Sequence, residues 1–125
     1  MPTGMTPSDS DLRRFVVEAR FGRWIAPWPT ARFEVSLEQL TLRSWPVRFL
    51  APRTVASARV QTVALQPTQG VRGTAALLPL GRGRISVRVD DDIGVFANVR
   101  VYLPDDGDNL VRQLRRLEYP VQDLR

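Results

Sequence analysis

Gly81-Arg82-Gly83-Arg84 is the stretch of this chain whose residue types and spacing best suit an anion. Two glycines let backbone amides approach an oxyanion closely, and two arginines offer forked donors; Arg88 adds a third guanidinium further along. The same residues suit a hairpin turn with a basic rim, and that reading takes precedence because a turn needs glycine regardless. Trp28 and Trp45, each next to a proline, are the second set of candidates. Together with Trp24 they could form an aromatic platform for a peptide or a nucleic acid, although tryptophans more often plug the end of a small barrel.

Carboxylates cluster at Asp90-Asp91-Asp92 and at Asp105-Asp106-Gly107-Asp108-Asn109. Paired carboxylates can work as acid and base or hold a hard cation. The second cluster lacks both the alternating ligands and the distal glutamate of a calcium loop, so helix capping explains it more simply. The first reads as a solvated hairpin end, and no metal site is expected.

Most other catalytic chemistry is missing. The chain has no histidine, no cysteine and no lysine, so all 18 basic residues are arginines. That removes the commonest general base near neutral pH, the thiolate, the Schiff-base amine and the ligands of a structural zinc site. Ser44, Ser57 and Ser86 have no histidine to activate them and no Gly-x-Ser-x-Gly elbow. No Rossmann or P-loop motif occurs, so no cofactor is expected. The formal charge of +5 points to anionic partners, but the arginines are dispersed and interleaved with acids, where a nucleic-acid footprint would cluster. Arginine in place of every lysine also fits a GC-rich genome.

With 125 residues the chain is long enough for one domain with its own core. Residues 1–11, rich in small polar residues and proline, read as a disordered tail, and 12–125 as the domain. No apolar run is long enough to span a bilayer, and the absence of cysteine fits a reducing cytoplasm.

The elements that must position these residues are mostly strands. Phe15, Val17, Ala19 and Phe21 alternate with Arg14, Glu18 and Arg20, predicting a half-buried strand with Glu18 outward. Ala26-Pro27-Trp28-Pro29 predicts a break, because prolines donate nothing to a ladder. Phe33, Val35 and Leu37 followed by Leu40 and Leu42 predict a hairpin connected at Glu38 and Gln39. Further strands are expected from Val55 to Leu65, irregularly from Thr74 to Leu80, from Ile85 to Val89, and from Gly94 to Leu103. The period then changes. Leu110, Val111, Leu114 and Leu117 form one apolar stripe of a helix, with Arg112, Gln113, Arg115 and Arg116 outward, Asp106 or Asp108 as the cap, and Pro120 as the stop. The pattern is mainly β with one C-terminal α-helix, about seven strands in a bent sheet or barrel capped by the helix.

The Trp28-Pro29-Thr30-Ala31-Arg32-Phe33-Glu34-Val35 entry into the first hairpin, and the closing helix from Asn109 to Val121 ending in Tyr119-Pro120-Val121, resemble small bacterial PH-like domains of actinobacteria. The resemblance covers roughly Trp24 to Val121 and implies a strongly bent seven-stranded sheet with a C-terminal helix, in a family mostly without assigned activity. Residues and resemblance together lead to a non-catalytic module that recognises a protein partner. The alternative is arginine-mediated binding of a lipid headgroup or nucleic acid; a carboxylate-dependent enzyme comes last.

Overall fold

The computed structural model describes residues 12–44, 51–67, 85–104 and 107–125. Eight strands form one sheet: β1 (Arg13–Phe21), β2 (Trp24–Val35), β3 (Gln39–Ser44), β4 (Arg53–Ala56), β5 (Val60–Pro67), β6 (Ile85–Asp91), β7 (Val99–Leu103) and β8 (Val121–Asp123). Among the described residues one helix, α1 (Asp108–Arg116), stands between β7 and β8. The sheet order is β4-β3-β2-β1-β7-β6-β5-β8, antiparallel except for the parallel β5/β8 pair. Trp45, the stretch 68–84 with Arg82 and Arg84, the 1–11 tail and Asp106 lie outside the described residues.

The sheet is strongly bent without closing. A three-residue 3-10 turn, Ser57–Arg59, joins edge strand β4 to β5 near the other edge, which only a rolled sheet permits. Across the roll, Arg53 Nη1 donates to Val95 O at 2.9 Å, and its guanidinium lies 5.1 Å from the centre of the Phe21 ring. Inside, Val17, Phe33, Val35, Leu40, Leu65, Val87 and Val101 meet the helix stripe Leu110, Val111, Leu114 and Leu117, all buried as expected.

Several expectations are corrected. Among the described residues the strands number eight: β8, with three residues too few for alternation to show, follows the helix, the Val55 to Leu65 stretch is split in two, and the strand expected from Thr74 to Leu80 lies outside the described residues. The Val55 to Leu65 strand is two strands with different partners, parted where Ala56-Ser57-Ala58 offers no large apolar residue. β2 is not broken at its prolines. Val17 pairs with Ala31 and Ala19 with Ala26, so Pro27 to Thr30 bulge out opposite Glu18, where no ladder donor is required of them. Thr30 Oγ1 and Arg32 Nη1 donate to the carbonyls of Pro27 and Pro29, and the Trp28-Pro29 peptide is cis. Leu37 is exposed in the turn between β2 and β3, where the Ser36 amide donates to Gln39 O. Glu18 is fully buried, held at 3.3 Å by Arg20. Gln113 is buried as well, on the flank of the helix stripe.

The helix starts one residue after Gly107, not on an aspartate cap. Gly107 has φ +79°, and a Cβ there would meet Leu65 and Ile85 side chains at 3.3 and 3.4 Å, so both conformation and space require glycine. At its other end, buried Tyr119 donates from its hydroxyl to Ser36 O at 2.6 Å, tying the helix exit to the β2/β3 turn. Burial pushes that phenol above its ordinary range. Tyr119→Phe leaves the Ser36 carbonyl without this donor and is expected to lower stability by about 1–3 kcal/mol, read from the urea midpoint.

β8 is fastened by charge. Arg125 grips the Asp123 carboxylate with two donors at 2.8 Å and also reaches Asp108. The Arg125 hydrogen bonds pull the Asp123 carboxyl down from 3.8 to about 2. A folded-state pKa below the unfolded one means stability present above 3.8 and lost as pH falls toward 2. The stability difference between wild type and Arg125→Ala should therefore be constant at neutral pH and vanish near pH 2 in acid titrations followed by circular dichroism; a constant difference down to pH 2 would exclude this pair as its source.

Candidate functional site

Three arginines stand side by side on adjacent strands. Arg20 on β1 pairs in register with Arg100 on β7, and Arg100 with Arg88 on β6. Strands lie about 4.8 Å apart, so the row spans about 10 Å. It extends to Ile25 on β2, the register partner of Arg20. Like charges directly opposite one another destabilise a sheet; Glu18 and Asp90 offset this at Arg20 and Arg88, each at 3.3 Å, but among the described residues no ion pair offsets it at Arg100.

The row lines a hollow of about 660 Å³. Its rim comes from two turns, at Gly22 and at Gly94 to Asn98, joined by the Gly22 amide donating to Asn98 O at 3.1 Å. The second turn replaces the first half of the expected Gly94 to Leu103 strand. The reason is Asp91, whose carboxylate accepts the amides of Ile93, Val95 and Phe96 at 2.8–3.0 Å, folding the chain back before β7 starts. Gly94 and Asn98, at φ +74° and +61°, make the reversal possible. Phe96 drops inward and meets Phe33 edge-to-face, ring centres 6.5 Å apart. The aspartate cluster is thus partly a structural cap.

The three guanidiniums differ in what holds them. Arg20, with 25% of its side chain exposed, sits between Glu18 at 3.3 Å and the face of Tyr102 at 4.7 Å. Arg88 lies 3.3 Å from Asp90. Arg100 is exposed and forms no ion pair among the described residues. With Asp91 occupied by backbone amides and Asp90 by Arg88, the chemistry on offer is donation of hydrogen bonds to one more anionic group.

Of the residues singled out from the sequence, Arg88 lines this hollow together with Asp90 and Asp91 of the carboxylate cluster, while Arg82, Arg84 and Trp45 lie outside the described residues. Trp28 is half-buried in the β2 bulge, its Nε1 buried without a hydrogen-bond partner among the described residues, and does not line the hollow. Among the described residues the exposed tryptophan is Trp24, 60% accessible at the end of the β1/β2 hairpin, next to Ile25 at 41%. Arg20 and Arg100 were missed because each alone is an ordinary outward strand residue. Only the pairing of β1 with β7, across most of the chain, makes them neighbours.

A second, smaller cleft of about 390 Å³ between β1 and α1 is lined by Arg13, Arg14, Phe15, Asn109, Arg112, Gln113 and Arg116, with no carboxylate. Among the described residues no group of histidine, aspartate and glutamate side chains could hold a metal ion, and no helix is long and apolar enough to cross a membrane. Compared with known proteins, the chain matches no family model, no curated protein and no solved structure.

Proposed function

We propose that this chain is a non-catalytic binding module of a reducing cytoplasm that recognises a protein partner, with the arginine-lined hollow and the adjoining Ile25 as its contact surface. The observation that carries the reading is the Arg20, Arg100 and Arg88 row: three like charges in register beside an exposed apolar residue, one of them without an ion-pair partner among the described residues. Arginine next to exposed apolar surface is the usual make-up of an interface centre. The uninterrupted antiparallel order from β4 to β5, with a helix after β7, supports the PH-like resemblance, in which β8 is an addition.

The alternative, a lipid headgroup or nucleic acid on the same arginines, draws on the same row. Asp90 and Asp91 in the lining weigh against it, since a dense polyanion would meet carboxylates beside the arginines. A photo-crosslinking residue placed at Ile25, in the protein expressed in its own host, tests the reading. A defined protein adduct at Ile25, absent when the crosslinker stands at exposed Gln122, is expected. No protein enriched at Ile25 over Gln122 would contradict it.

A further inference from the structure

We infer that the arginine row seats one carboxylate side chain of an extended acidic segment of the partner, gripped by Arg100, with an apolar residue of that segment laid on Ile25. The inference rests on the reading above and names its ligand chemistry. Its first support is the way the hollow already handles carboxylates: Arg20 holds Glu18 and Arg88 holds Asp90, each at 3.3 Å. Between these two pairs Arg100 keeps its fork exposed, with no ion pair among the described residues. A guanidinium fork matches a carboxylate bidentately.

The second support is charge density. Arg20, Arg88 and Arg100 stand against Asp90 and Asp91 in the lining and Glu18 beside Arg20, so the net charge is balanced. Asp91 is taken by backbone amides and Arg100 has no ion pair among the described residues, which suits a single carboxylate and is poorly matched to a polyanion. A nucleic acid or anionic bilayer would find a denser set of arginines in the cleft between β1 and α1, lined by Arg13, Arg14, Arg112 and Arg116, although Glu34 holds Arg14 there at 3.1 Å. The third is reach. From Arg100 to Ile25 is two strand spacings, about 10 Å, or about three residues of extended chain. One acidic and one apolar side chain a few positions apart can therefore engage both.

The test titrates the whole protein, with amide shifts followed by NMR, using a short peptide of alanine and serine carrying one glutamate three positions from a leucine. Controls are the same peptide with glutamine for glutamate, a DNA duplex and phosphatidylserine vesicles. Millimolar peptide is expected to shift the Arg20, Arg88, Arg100 and Ile25 amides, and the glutamine version to bind about tenfold or more weakly. Arg100→Ala should lose the same factor, Arg100→Lys part of it, and the charge-matched Arg112→Ala about none. Circular dichroism confirms that each variant is folded, and Arg100→Lys keeps the test open should Arg100→Ala fail to fold. No shift on the row, indifference to the glutamine change, an equal loss with Arg112→Ala, or tighter binding of duplex or vesicles through the row would each overturn the inference. Crosslinks at Ile25 that survive Arg100→Ala would overturn it while leaving the protein-binding reading intact.

Discussion

Replacing Phe96 by alanine is expected to remove about 3–5 kcal/mol of stability, the range for truncating a buried phenylalanine. Phe96 is fully packed against Phe33 in an edge-to-face contact, and its amide is one of the three that Asp91 accepts. The ring and the carboxylate therefore hold the same turn from two sides, one by burial and one by hydrogen bonds. Because that turn forms the rim of the hollow, the loss should extend beyond stability: amide shifts of Gly22, Asn98 and Arg100 should move even where the variant stays folded. A urea midpoint close to wild type would show that the turn does not depend on the ring.

Leu114→Ala is the second large change, with an expected cost of about 2–5 kcal/mol. Leu114 has no exposed surface, and its carbonyl accepts the Tyr119 amide at 2.9 Å. A helix of nine residues is marginal alone in water, so α1 owes its existence to burying the Leu110, Val111, Leu114 and Leu117 stripe in the mouth of the rolled sheet. An unchanged melting temperature would mean that the stripe does not close the core.

The helix and its stripe were legible in the sequence because a 3.6-residue period over two turns is hard to imitate by chance. Ile85, Val87 and Val89 were equally plain, since one face of β6 is core and the other is not. The failures share a cause, which is that distant partners decide the local outcome. Val95, Ala97, Val99 and Val101 alternate well enough for one strand, yet Asp91 takes the amides that would have continued the ladder at Val95 and Phe96. Pro27 and Pro29 look like a break, yet the bulge opposite Glu18 accommodates both. The same reason hid the site. Arg88 was visible as a basic strand residue, but its meaning depends on Arg100 and Arg20 standing beside it, and no spacing along the chain announces the β1/β7 pairing.

If the arginine row serves a ligand and not the fold, relieving it should stabilise the free protein. Arg100→Thr removes two like-charge register pairs and installs a residue favoured in strands. In urea denaturation at low salt the variant is predicted to be more stable than wild type by about 0.2–1 kcal/mol, with the advantage shrinking as salt screens the repulsion. A variant less stable than wild type at low salt would contradict this, and would return Arg100 to the ordinary surface of the sheet.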